Sequence, residues 1–418
     1  MKIIDAYCSR GQGGFFYDDQ MAIRLGAKSD GFIYKGEIKT KGFRSIRQRS
    51  ESISIILELD DGQIAIGDCV SVQYSGAGGR DPLFIADTYY NFIDDEVLPK
   101  IIGRNFTSFR EAAEECDNMN DKSSGRKIHA AIRYGLTGAL LDAFAKYKHI
   151  TMAEVVAKEY GTKISKDIIP IYVQSGDSRY ENVDKMILKD VDVLPHGLIN
   201  NVEEKLGNEG EKLLEYIQWI LSRIKELRPG EKYSPILHFD TYGTIGLAFG
   251  SDNYKDICEY FKKVQNVAGN HKVRIEFPID GGSKEKTIKY VSELTQFMKK
   301  EDIKIDIVND EWCNTIEDMR DFINAGAGNI IHIKTPDLGG INNAIEAVLL
   351  CNKYRFGAFL GGSCTETDIS ARISANIALA TCPIQAIAKP GMGVDEGLMI
   401  LYNEMSRVLT ILNRRTSH

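Results

Sequence analysis

The chain has 418 residues, too many for one small domain and enough for a barrel of about 250 residues plus a substantial second domain. Its formal net charge of −7, without a Lys/Arg stripe interleaved with aromatics, argues against nonspecific nucleic-acid binding, and no run approaches the ~20 apolar residues that span a bilayer. Eight cysteines with no C-x-x-C pair or zinc spacing, and an N-terminus lacking a continuous apolar segment, point to reduced thiols in a soluble cytoplasmic protein.

Residues 1–165 read as an α+β domain. Ser52–Leu59 and Gln63–Gly67 alternate as two strands joined by a tight Asp60-Asp61-Gly62 turn. Ile128, Ile132, Leu136, Leu140 and Phe144 recur every four residues and predict a helix, and Thr151 followed by Glu154 caps another. The polar stretch Gly161 to Lys166 marks the boundary, leaving 166–418 for an α/β catalytic domain. There the pattern becomes strand-helix alternation, starting with Ile168 to Gln174, a strand with Tyr172 and Gln174 inward. A long helix is expected over Val202–Leu227, and shorter ones near 253–267, 283–300 and 315–325. Phe356 to Gly362 supplies a further strand.

Four stretches in this half, LHFD, VRIE, IVND and IHIK, end on Asp240, Glu276, Asp310 and Lys334. Their spacing of roughly 24 to 36 residues is one strand-plus-helix unit of a (β/α)8 TIM-type barrel. Period-two alternation sends Leu237, Phe239, Ile275, Ile307, Ile331 and Ile333 outward to the helices. It sends His238, Asp240, Arg274, Glu276, Val308, Asp310, His332 and Lys334 inward, the last of each strand at the C-terminal mouth. Three carboxylates offer hard oxygens that select Mg²⁺ or Mn²⁺ over zinc. A cation on a substrate carboxylate stabilises the enediolate formed when the adjacent carbon loses a proton, and Lys334 is placed to take that proton. The alternative for Lys334 is a structural salt bridge to Asp310 or Glu276; a nearby cation would lower its pKa while the carboxylates raise it. His196, in VDVLPHG, reads equally well as a loop residue or a group across the pocket. Gln174 and the loop Gln73 to Pro82 can hydrogen-bond a polar substrate, and Gly361-Gly362-Ser363-Cys364 offers backbone N–H groups to a carboxylate.

Taken together, QYSGAGGRDPLF, HAAIRYG, DVLPHGLINNVEEKLG, DTYGTIG, DEWCNT, IKTPDLGG and AKPGMGVDEG closely resemble the methylaspartate ammonia-lyase family of the enolase superfamily, over nearly the whole chain. The resemblance implies an enolase-like capped barrel and a carbon–nitrogen lyase that reversibly eliminates ammonia from L-threo-3-methylaspartate to give mesaconate. By matching motif it implies Mg²⁺ on Asp240, Glu276 and Asp310, and Lys334 as the base at C3 of the (2S,3S) substrate. His196 would act from the opposite face, as base for the other C3 configuration or as a hydrogen-bonding group. Gln73, Gln174, Ser363 and Cys364 match substrate-binding positions, and Ile387 an apolar position near the substrate methyl. A homodimer activated by K⁺ is also implied. His332 stands where the family usually has Gln, a position that helps hold the metal-bound carboxylate, and GGSCTET replaces the more usual GGTCNET. Other superfamily reactions (racemisation, cycloisomerisation, acid-sugar dehydration) often carry K-x-K on the second strand, which MILKDVDVLPHG lacks.

Overall fold

The computed structural model describes residues 1–77, 79–230 and 232–416; Gly78 of the glycine-rich loop lies outside them. The N-terminal strands are β1 (Ile3–Asp18), β2 (Lys28–Asp30), β3 (Ile33–Lys35), β4 (Arg47–Leu59) and β5 (Ile64–Cys69). β1, β4 and β5 form an antiparallel sheet in that order, and β2 pairs with β3 as a separate hairpin. Ile53, Ile55, Leu57 and Leu59 alternate into the core, and the helix Ala130–Tyr147 packs across β4 and β5. The expected turn forms, with Gly62 N–H donating to the Leu59 carbonyl at 2.9 Å. His129 caps the helix by accepting from Ala131 N–H at 3.0 Å, and Thr151 with Glu154 forms the expected capping box. Strand β1 has no sequence signature, because Gly11, Gly13 and Gly14 interrupt its alternation; pairing with β4 makes it a strand.

The C-terminal half closes into an eight-stranded parallel barrel. Its strands are β6 (Ile171–Tyr172), β7 (Val193–His196), β8 (Ile236–Asp240), β9 (Val273–Glu276), β10 (Ile305–Asn309), β11 (Ile330–Ile333), β12 (Gly357–Leu360) and β13 (Gln385–Ile387). Side chains fill the interior, as in barrels of this size. Tyr172, Val193, Val308, Ile330, Phe359 and Ile387 make an apolar cluster there, while His238 stacks on Tyr172 at 4.4 Å and His332 on Phe359 at 4.2 Å.

One expectation fails. The predicted helix Val202–Leu227 is a π-helical turn, Val202–Leu206, followed after a break by the helix Glu211–Leu227. Gly207 and Gly210 separate them at φ +88° and +76°, a left-handed backbone that only glycine adopts without cost, and a Cβ on Gly210 would run into the Tyr260 ring. The break has a signal in the sequence, since Gly207 to Lys212 is a polar run with two glycines between the buried Leu206 and Leu213.

The N-terminal part lies over the C-terminal ends of the barrel strands. Gly14 N–H donates to the Glu366 carbonyl at 2.9 Å and Gln73 N–H to Ser363 Oγ at 3.1 Å. Among the described residues no helix is long and apolar enough to cross a membrane.

Candidate active site

Asp240 and Glu276 end β8 and β9 as register partners; Asp310 and Lys334 each follow their strand by one position. The chain then turns sharply. His196, Tyr242, Phe277 and Trp312, at or just beyond the ends of four successive strands, have φ of 72°, 49°, 47° and 69°. Non-glycine residues held there cost about 1–3 kcal/mol each, and such outliers collect where function over-determines the backbone. The strain lies on the rim that carries the acids.

Inside the mouth the charges alternate. Lys334 Nζ lies 2.8 Å from Asp310 Oδ1 and 3.4 Å from Glu311 Oε1. His332 Nδ1 faces two carboxylates, Glu276 Oε1 at 2.6 Å and Asp310 Oδ1 at 3.1 Å, and Glu276 Oε2 meets His238 Nε2 at 2.8 Å. Arg80 descends from the glycine-rich loop to bind Glu311 at 2.9 Å and Asp337 at 2.7 Å. Asp240 turns to the other side, where Oδ2 lies 3.6 Å from His196 Nε2 and Oδ1 accepts from Tyr242 N–H at 3.1 Å. The Tyr242 hydroxyl sits 3.2 Å from His196 Nε2.

The electrostatics follow from this arrangement. Burial raises the Asp240 carboxyl, and the neighbouring Glu276 charge raises it further. Burial acts the same way on Glu276, but the His332 charge and hydrogen bonds from His238 and His332 outweigh it and hold Glu276 low. Asp310 is likewise held low against burial, by Lys334 and His332. Burial would depress His332, yet Glu276 and Asp310 push it up to about 9. Lys334 is raised despite burial, by Asp310 and then Glu311, and the salt bridge to Asp310 that is the alternative reading of this residue is present.

Glu276, Asp310 and His332 can bring one ligand atom each within 4.8 Å of the others, a cluster able to hold a metal ion. Asp310 Oδ1 takes no well-aligned hydrogen bond although it is buried, and with Glu276 it gives a hard, anionic pair of donors, whereas Asp240, turned toward His196, is not part of this cluster. Those donors fit a divalent cation of the Mg²⁺ type, which prefers carboxylate oxygen to imidazole. His332 Nδ1 competes with any cation for the same two oxygens.

Gln73, Gln174, Asp240, Asp310, His332, Lys334, Ser363 and Cys364 line one small cavity of about 50 Å³. Glu276 lies beneath it, His196 behind Tyr242, and Ile387 within the apolar barrel interior, so these three do not line it. Gln73 is fixed on both sides, Nε2 donating to Asp18 at 2.9 Å and Oε1 accepting from Cys364 Sγ at 3.4 Å. Sequence reasoning missed Glu311 and Tyr242. The first had a signal, a second acid beside Asp310; the second had none, because its place depends on the left-handed turn after β8.

A closed barrel under an α+β cap, with acids on its third, fourth and fifth strands and a lysine on the sixth, defines an enolase-superfamily architecture. Residues 1–161 match the family model for the methylaspartate ammonia-lyase N-terminus and residues 163–414 that for its C-terminus. The chain is 50% identical to a methylaspartate ammonia-lyase of Clostridium tetanomorphum, over 99% of this chain and 100% of the relative. The Mg-complex crystal structure of β-methylaspartase from that organism superposes with a TM-score of 0.95 at 50% identity, covering 99% of this chain and 100% of the other. A Citrobacter amalonaticus methylaspartate ammonia lyase structure containing (2S,3S)-3-methylaspartic acid gives 0.96 at 48% identity, with 99% and 100% covered. The chain belongs to the methylaspartate ammonia-lyase family.

Proposed function

We propose that this chain catalyses the reversible elimination of ammonia from L-threo-3-methylaspartate to give mesaconate, with residues 1–165 as cap and 166–418 as catalytic barrel. The observation that supports this most strongly is the near full-length likeness to the Citrobacter structure containing (2S,3S)-3-methylaspartic acid. Asp240, Glu276 and Asp310 would hold Mg²⁺; Mn²⁺ suits the same oxygens, and activation by K⁺ follows from family membership alone. When bound, the cation supplies positive charge against which a substrate carboxylate gains its second negative charge as the C3 proton leaves.

The chain's own residues carry the remaining work. Lys334 must lose a proton before it can accept the one on C3. The group that keeps it protonated is chiefly Asp310, since Glu311 is already engaged by Arg80. Whatever occupies Asp310 weakens the hold of Lys334 on its proton. Gln73, Gln174, Ser363 and Cys364 orient the substrate's polar groups, and His332 takes the place of a neutral amide beside its carboxylate. Ile387, expected near the methyl group from the family motif, lies in the apolar layer below the cavity and would act on the methyl only through the residues above it. His196, oriented by Tyr242 and Asp240, would serve the opposite face of C3. The protein would act as a cytoplasmic homodimer.

Mesaconate formation followed by absorbance tests this. Turnover of 3-methylaspartate with Mg²⁺, abolished by EDTA, is expected. No turnover of it, with turnover of a dipeptide or sugar acid, would favour another reaction of the superfamily.

A further inference from the structure

Barrel interiors of this size are filled by layers of branched apolar side chains, and the layer beneath Glu276 departs from that. Arg274, Gln385 and His238 occupy it, all buried, and connect in series. Arg274 Nη1 donates to Gln385 Oε1, Gln385 Nε2 meets His238 Nδ1 at 3.0 Å, and His238 Nε2 meets Glu276 Oε2 at 2.8 Å. The direction of every bond is fixed by its ends. A guanidinium only donates, so Gln385 must turn its oxygen to Arg274 and its nitrogen to His238. Gln385 Nε2 only donates, so His238 Nδ1 is the acceptor, its proton sits on Nε2, and Nε2–H donates to the carboxylate.

We infer that His238 is a positioning residue for Glu276, holding that carboxylate in one orientation for a divalent cation through a hydrogen-bonded series anchored on Gln385 and Arg274. The inference rests on the proposed metal-dependent reading. His238 Nε2–H is the hydrogen bond that fixes Oε2, while Oε1 is left to His332 or to a cation. Ring packing alone does not explain the residue, because a phenylalanine would stack on Tyr172 as well as His238 does. Only the imidazole joins Gln385 to the acid.

The test is Mg²⁺ binding by titration calorimetry, with circular dichroism as the check on folding. His238→Phe keeps the ring and removes the donor, and its Mg²⁺ Kd should rise about 10- to 100-fold, the range for lost partners of metal ligands. His238→Gln returns an N–H near the position of Nε2 and should recover most of that loss, whereas His238→Asn, too short to reach Glu276, should not. A folded Phe variant with the unmodified Kd overturns the inference. Should the Phe variant not fold, equal Kd values for the Gln and Asn variants overturn it. No Mg²⁺ binding by the unmodified enzyme overturns the metal-dependent reading together with it.

Discussion

At the scale of single residues, the site places each base candidate beside an acid. Lys334 is gripped by Asp310, and His196 by Asp240 with the Tyr242 hydroxyl close by. The two come from strands on opposite sides of the barrel, and in the proposed reaction each would serve one face of C3, His196 once Tyr242 gives it access. On this account His196→Asn leaves C3 exchange with the (2S,3S) substrate within a few-fold of normal. It cuts turnover of the other C3 configuration by about 10²-fold, the usual worth of a positioned base. Steady-state assays on the two diastereomers check this; equal losses on both would remove the facial division of labour.

At the scale of elements, what was legible in the sequence was what periodicity writes. The acids of β8 and β9, the capping box at Thr151 and the hairpin at Gly62 all carry local patterns, and the structure has them. The long strand β1 was not legible, because it depends on a partner strand, whereas the break before Glu211 did carry a signal, two glycines within the polar run Gly207 to Lys212, which the long-helix expectation passed over. The site divides the same way. The four charged strand-end residues could be read from the chain, whereas the hold of Arg80 on Glu311 and the placement of His196 behind Tyr242 arise only once loops from distant positions meet. The break itself is testable. Gly210→Ala forces a left-handed alanine against the Tyr260 ring and should cost about 2–4 kcal/mol, summing backbone strain and overpacking. Urea denaturation measures it, and a loss below half a kcal/mol would mean that the turn relaxes freely.

At the scale of the whole molecule, the site exists only where cap and barrel meet, so their junction sets its integrity. Asp117, buried in the cap, accepts from Gly340 N–H at 2.7 Å at the start of the barrel helix Ile341–Tyr354 and from Asn343 Nδ2 at 3.0 Å. Burial would raise its carboxyl, but Arg133, with these hydrogen bonds and Lys127, pulls it below the usual range. A depressed carboxylate stabilises the fold fully above its unfolded pKa of about 3.9 and loses that contribution as pH falls through the folded value. Asp117→Asn should therefore cost about 2–4 kcal/mol at neutral pH, by unpairing Arg133 in a buried setting. Denaturant titrations at a series of pH values should show the gap between the two proteins closing below about pH 4; a gap independent of pH would contradict the charge's role.

In the proposed reaction Lys334 takes the C3 proton beside a metal site it does not itself build. Proton exchange at C3 of (2S,3S)-3-methylaspartate in deuterium oxide, compared between the unmodified enzyme and Lys334→Ala with Mg²⁺ binding measured on both, tests it most directly. Exchange should fall by at least about 10³-fold with Mg²⁺ affinity retained within a few-fold, because the base is removed and the carboxylates stay. Exchange persisting in the variant at the unmodified rate would contradict it.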